Sequence, residues 1–172
     1  MRARVAIAIV VGILLIAAGV SFYLTSTATG TLAVRIHDSP STWSNLSVTF
    51  SEVAVHPADV ANESAWIVLR LAETRIDFLE SGNLTQLLAL DRVAPGTYTQ
   101  LRIVVTLVQG VLSGGSSVTL TVPDGVLMTA VPFVIHGGGT TTLSVDLDLA
   151  RSIHQANGVW IFSPVIGPVT VT

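Results

Sequence analysis

Thr140-Thr-Thr-Leu-Ser-Val-Asp-Leu-Asp-Leu149 alternates without a break, with Leu143, Val145, Leu147 and Leu149 on one side and Thr142, Ser144, Asp146 and Asp148 on the other. A period of two marks a β-strand with one face on a core and the other toward water. Upstream, Gln100-Leu-Arg-Ile-Val-Val-Thr-Leu-Val-Gln109 sets Leu101, Ile103, Val105 and Leu107 against Arg102, Thr106 and two valines. A strand nearly apolar on both faces is expected at the centre of a sheet.

The same period extends outward from these two runs. Leu32, Val34 and Ile36 share a face before the turn signal Asp38-Ser-Pro-Ser41, and Leu46, Val48 and Phe50 repeat the pattern. The apolar positions then slip to Val53 and Val55, and a one-residue slip near Ser51-Glu52 predicts a β-bulge. Further strands are predicted over residues 66–71, 75–79, 118–122 and 131–136, the last on an edge because Pro132 stands near its start. Residues 159–171, broken by Pro164 and Pro168, close the domain. Asn83-Leu-Thr-Gln86 fits a helix N-cap with its capping-box partner, so a short helix is expected over residues 84–90, and one helical turn over residues 150–155. The predicted fold is all-β: an antiparallel β-sandwich, immunoglobulin-like or prealbumin-like, with one short helical insert.

Residues 5–24 are of another kind, uncharged and interrupted only by Gly and Ser. As a helix they would extend roughly 30 Å, the thickness of a bilayer's hydrocarbon core. Arg2 and Arg4 precede them and the next basic residue is Arg35, so the positive-inside rule places the N-terminus in the cytoplasm and the rest outside. Ser26-Thr27-Ala28 would suit a signal peptidase, but the apolar run exceeds the usual signal core of about 7–15 residues, and Phe22 and Tyr23 fit an interfacial belt. A retained anchor is therefore favoured, with secretion after cleavage at Ala28 as the alternative. Residues 1–28 are anchor or signal; residues 29–172 are the extracytoplasmic domain, which meets the membrane through its N-terminal helix.

Only 11% of residues are charged and the net charge is −3, which argues against nucleic acid as a partner. The chain has no cysteine, so disulfides, thiolate chemistry and a lipidated cysteine are excluded and apolar burial must hold the domain together. Three of the four asparagines, Asn45, Asn62 and Asn83, stand in the N-glycosylation pattern, with Asn45 and Asn62 the better acceptors because Asn83 doubles as a helix cap.

The succession Gly30-Thr-Leu-Ala-Val-Arg-Ile-His-Asp-Ser-Pro40, Val48-Thr-Phe-Ser-Glu-Val-Ala-Val-His56, Trp66, Ile76-Asp-Phe-Leu79, Leu87-Leu88, Ala94-Pro-Gly-Thr-Tyr-Thr-Gln-Leu-Arg102, Val122-Pro123 and Leu143-Ser-Val-Asp-Leu-Asp148 with Ser152 resembles a family of prokaryotic exported domains, the domain of unknown function 4382. The resemblance implies an exported β-sandwich. It brings no catalytic or ligand residues with it.

The residues with side chains suited to chemistry are few. His37 and Asp38, His56 and His136 each end a predicted strand, and convergence at one end of a sandwich would make a divalent metal site; solvated strand ends are the favoured reading. Asp146 and Asp148 share a strand face and suit acid–base work or calcium, against the plainer reading of two solvated carboxylates. Ser152 and His154 do not face each other on a helical turn, and Gly137-Gly-Gly139 lacks the residues of a phosphate loop. Trp43, Trp66 and Trp160 form a sugar-stacking platform only if they are not buried in packing. No cofactor is implied. The expectation is a non-enzymatic cell-surface domain with a binding or structural role: adhesion, envelope organisation or carbohydrate contact, with a surface protein or carbohydrate as ligand. The alternatives are an extracellular filament subunit that self-associates by strand addition, and a metal-dependent hydrolase.

Overall fold

The computed structural model describes residues 13–16, 28–38, 43–62, 64–79 and 85–172. Among these residues twelve strands are formed: β1 Gly30–His37, β2 Trp43–Pro57, β3 Ile67–Val68, β4 Arg75–Leu79, β5 Gln86–Val93, β6 Gly96–Leu112, β7 Ser117–Leu120, β8 Val126–Ile135, β9 Thr140–Leu147, β10 Ile153–Ala156, β11 Val159–Phe162 and β12 Ile166–Val171. One sheet has the order β12-β9-β1-β5. The second has the order β3-β2-β6-β7, with β4 also on β2 and β8 also on β6, and β10 and β11 form a small hairpin. All ladders are antiparallel except that between β1 and β9, which is parallel.

The alternation decides which side chains go inside. Leu32, Val34 and Ile36 of β1, Leu143, Val145 and Leu147 of β9, Leu46, Val48, Phe50, Val53 and Val55 of β2, and Leu101, Ile103 and Val105 of β6 are all buried and belong to one continuous apolar cluster. Both sheets contribute their inner faces to it, as in a sandwich.

The bulge expected near Ser51 is present and is matched by another. Phe50 pairs with Val105 and Glu52 with Val104, which leaves Ser51 without a partner; Thr49 pairs with Leu107, which leaves out Thr106. The faces reset on both strands. Leu107, expected inside, is 37% exposed, and Val108 takes the buried position. Two backbone donors at the bulge turn to other segments: Phe50 N–H donates to the Thr74 carbonyl at 2.7 Å and Val105 N–H to the Gly125 carbonyl at 2.9 Å. Glycine is required at position 125 because a Cβ there would collide with the Val105 carbonyl.

The helix expected over residues 84–90 is not formed: Gln86–Val93 is β5, and Asn83 lies outside the described residues. A seven-residue helix is marginal by itself, whereas β1 has an edge to pair, and β5 supplies it. Leu88 bulges out of that ladder and both Leu88 and Ala89 are buried, so the apolar doublet breaks the period of two and imitates a helix. Residues 70–72 cover the far edge of β5, with Ala72 N–H on the Leu88 carbonyl at 2.9 Å and Leu90 N–H on the Arg70 carbonyl at 3.1 Å.

The helical turn expected over residues 150–155 is shorter, Leu149–Ser152, and passes into β10. Asn157 (φ 51°) and Gly158 (φ 79°) make the tight turn between β10 and β11, as an Asn-Gly pair favours. The strand expected over residues 131–136 begins earlier, at Val126, so Pro132 stands in its interior and not near its start; it is tolerated there because β8 is an edge strand on β6 and bulges beside it. Of the apolar N-terminal segment, residues 13–16 are helical and the remainder falls outside the described residues, as do residues 39–41 of the predicted turn after β1. Among the described residues no helix is long and apolar enough to cross a membrane.

The Ala94-Pro-Gly-Thr-Tyr98 block is a corner. Tyr98 is 2% exposed, stacks on Phe133 at 5.4 Å and donates its hydroxyl to the Ala94 carbonyl at 2.9 Å. A tyrosine bonding back to backbone a few residues upstream is a recurrent device of β-sandwiches. Burial, with the Asp59 charge adding to it, raises the phenol's pKa above its ordinary value and keeps the hydroxyl a donor. Tyr98→Phe is expected to cost about 0.5–1.5 kcal/mol, the net worth of one hydrogen bond whose other partner stays open to water. Gly125→Ala is expected to cost about 1–3 kcal/mol through overpacking at the bulge. Denaturant unfolding of the two variants checks both.

Candidate binding face on the six-stranded sheet

The outer face of β2 and β6 is built by register. His56 lies opposite Gln100 and Ala54 opposite Arg102, and directly opposed residues share a face. Arg102 reaches diagonally to Glu52, donating from Nε at 2.9 Å and from Nη2 at 2.6 Å to the same carboxylate oxygen. Trp66, just ahead of β3, hangs over this pair. Its ring centroid is 4.4 Å from the Arg102 guanidinium carbon and 5.3 Å from the His56 ring, which meets it edge-on at 74°. His56 Nε2 is 3.0 Å from the Asn62 carbonyl. With Trp66 above them, Ala54 and His56 are 0% and 8% exposed although both point away from the core. Beside the indole lies a hollow of about 400 Å³ lined by His56, Val60, Ala61, Trp66, Gln100 and Met128.

The structure does not gather the four candidate metal ligands. β1 runs from Gly30, which abuts the His136 carbonyl, to His37, so His136 and the His37-Asp38 pair stand roughly 25 Å apart at opposite ends of the strand. His56 is engaged with Trp66 and Asn62, and Asp38 Oδ2 accepts from Leu149 N–H at 2.5 Å. Among the described residues no three His, Cys, Asp or Glu side chains are grouped so as to hold a metal ion.

Asp146 and Asp148 are not a matched pair of solvated carboxylates. Asp148 caps the one-turn helix, accepting from Arg151 N–H at 2.9 Å and pairing with Arg151 Nε at 3.1 Å. Asp146 packs against Gly167, where a Cβ would collide with its carboxylate, and lies 3.8 Å from His37 Nδ1. Partial burial raises the Asp146 pKa, with the charges of Asp38 and Asp148 adding to it and His37 opposing. Ser152 is 0% exposed and fully engaged, donating to the Asp148 carbonyl at 2.6 Å and accepting from Val165 N–H at 2.9 Å; His154 is exposed.

The tryptophans and asparagines separate in the same way. Trp43 is 3% exposed and meets Trp160 edge-on at 5.1 Å, packed over Gly110, so only Trp66 of the three belongs to the outer face. Asn62 lies on an exposed loop, its Oδ1 accepting from Ser64 N–H at 3.0 Å. Asn45 sits inside β2, paired with Leu79 on one side and Val111 on the other, and Asn83 lies outside the described residues. The trio of Glu52, Trp66 and Arg102 was not singled out by sequence. The usable signal is one Arg on a nearly apolar central strand, which needs a partner that the chain must supply from elsewhere.

Asp146 gives a pH test. A carboxyl whose pKa is raised by folding favours the folded state below its unfolded pKa and loses that contribution as pH rises through the folded value. Asp146→Asn is therefore expected to melt higher than wild type at pH 7, and the difference is expected to vanish below pH of about 4. Thermal unfolding of both proteins across that range measures it.

No curated protein and no solved structure matches the chain significantly. The model of the family described as Domain of unknown function (DUF4382) matches residues 29–164, which takes in every strand from β1 to β11, and the chain belongs to that family.

Proposed function

We propose that the chain is a membrane-tethered, extracellular, non-enzymatic binding domain that contacts carbohydrate through the hollow beside Trp66. The observation that carries this reading is the fixed indole, with Arg102 against its ring, His56 on its edge and Gln100 across the hollow. Sugars present apolar C–H faces ringed by hydroxyls, and a partly exposed aromatic ring beside amide and imidazole groups meets both needs. The apolar run of residues 5–24 supports the tether, and the exposed Asn62 loop supports a glycan on the outer surface. The Tyr98 corner favours the immunoglobulin-like form of sandwich over the prealbumin-like one.

The other two readings have less support. In assembly by strand addition β1 would be the donated strand, yet it is paired on both sides, with β5 and β9. A metal-dependent hydrolase needs grouped ligands, and the described residues offer none.

The test uses the full chain in detergent micelles on an array of glycans. Binding is expected to at least one carbohydrate, and Trp66→Ala is expected to weaken it about tenfold or more, as loss of an aromatic anchor does. Gln100→Ala is expected to weaken it less. Turnover of a glycoside, ester or peptide by the wild-type chain, or glycan binding indifferent to Trp66→Ala, would overturn the reading.

A further inference from the structure

The chain enters the fold at one end of the sandwich, where several strand ends meet. Gly30 opens β1 opposite Val93, the last residue of β5, and abuts Ile135 and the His136 carbonyl at the end of β8. Thr31 N–H donates to the Gly139 carbonyl at 2.8 Å just ahead of β9, and Pro57 at the end of β2 pairs with Tyr98 near the start of β6. Between the apolar run proposed as the tether and Gly30 stand five residues, Thr25 to Thr29, which extend over at most about 18 Å. A bilayer that holds the run therefore holds this end of the domain close to its surface. Contacts too weak to join separate molecules become effective under so short a connection.

The surface at this end suits a lipid boundary. A hollow of about 510 Å³ is lined mainly by Pro57, Ala58, Val60, Ala94 and Pro95, and Asp59 is its only charged residue. Val60 is 36% exposed, and Val134, the last residue but one of β8, is 45% exposed. Around the corner, on the four-stranded sheet, Arg92 lies opposite Thr31, and the Arg70 carbonyl accepts from Leu90 N–H at 3.1 Å. Arg70, Leu90 and Arg92 line a second hollow of about 470 Å³ together with Thr31 and Asp91. Both arginines are exposed, and among the described residues neither guanidinium is in an ion pair. The Asp91 carboxylate is engaged by backbone instead, Oδ2 accepting from Arg70 N–H at 3.0 Å and Oδ1 from Arg92 N–H at 2.8 Å.

We infer that this end of the sandwich rests on the lipid surface that holds the tether, with Arg70 and Arg92 donating to lipid phosphates and the rim of Ala58, Val60, Ala94 and Pro95 entering the headgroup layer. Guanidinium groups free of carboxylate partners suit phosphate oxygens, and a small apolar rim enters an interface at little desolvation cost. Asp59 and Asp91 offset the two arginines, so the contact is made with phosphate oxygens at short range rather than through the long-range field of an anionic membrane. The inference rests on the tether of the proposed function and is independent of its carbohydrate.

The experiment uses the full chain in phosphatidylcholine vesicles that carry nitroxide-labelled headgroups. The chain has no cysteine, so Ala58→Cys, Ala94→Cys and Ser116→Cys each create one place for a fluorophore. Ser116 lies in the turn after β6, roughly 45 Å from Tyr98 by strand rise. The nitroxides are expected to quench the labels at positions 58 and 94 and to spare the label at 116. Arg70→Gln combined with Arg92→Gln is expected to lower the ratio of docked to free orientations about tenfold, while Arg70→Lys combined with Arg92→Lys retains the contact. Flotation with the vesicles reads the tether separately. A chain that floats with all three labels quenched alike keeps the tether and overturns the docking, and a chain that does not float overturns both. Quenching unchanged by the paired Gln substitutions overturns the docking as well, as does self-quenching between labels at position 58 on separate copies, which would put a second chain on this surface.

Discussion

The paired bulge at Ser51 and Thr106 is the constraint on which the rest of the molecule depends. β2 and β6 are 15 and 17 residues long, and strands of that length do not stay flat over a sandwich core. By leaving out one residue on each strand, the ladder bends while keeping its register on both sides of the bend. The inward set then changes from Leu46, Val48 and Phe50 to Val53 and Val55, and both halves stay buried. The backbone donors of Phe50 and Val105 are answered by carbonyls of Thr74 and Gly125, which bring the segments before β4 and β8 against the middle of the sheet. One local irregularity thus shapes the core and divides the outer face into two regions.

Much of this was legible because a period of two is robust wherever one face is buried. The slip between Phe50 and Val53 located the bulge on β2, and the apolar faces of residues 100–105 marked β6 as central. On β6 itself the slip was hidden: valine and leucine occupy positions 104, 105, 107 and 108, so either assignment of faces looked apolar, and Leu107 was placed inside. β5 was misread for a related reason. Its bulge at Leu88 produces the doublet spacing that helices show, and local propensity had no knowledge of the open edge of β1. The Asn157-Gly158 hairpin carried a strong local signal, but the prolines at 164 and 168 drew the reading toward one broken closing segment.

The candidate sites were less legible than the fold because their parts meet only across strands. Glu52 and Arg102 are separated by 50 residues and Arg70 and Asp91 by 21, and no spacing rule connects such positions. The conspicuous residues turned out to be structural: Asp148 caps a helix, Ser152 joins that helix to the segment after β11, and Asp38 holds a backbone N–H. Polar side chains at strand ends are commonly recruited to satisfy the backbone, since a buried backbone group without a partner is costly. That demand accounts for the backbone hydrogen bonds that Asp38 and Asp148 accept.

Arg102 and Glu52 raise a different question, since their side chains are 25% and 29% exposed and a pair so close to solvent adds little stability. Their effect is geometric. Two donors from one guanidinium to one carboxylate oxygen fix the plane of Arg102, and Trp66 lies against that cation. A contact of this kind at a partly exposed site contributes only about 0.5–1 kcal/mol, yet it restricts the indole to one orientation. An aromatic side chain ordered before a ligand arrives loses less conformational freedom on binding, which is how modest contacts become usable affinity. On the outer face of this sheet, Trp66 is therefore fixed beside the hollow by contacts within the chain, with His56 at its edge and Gln100 along the same lining.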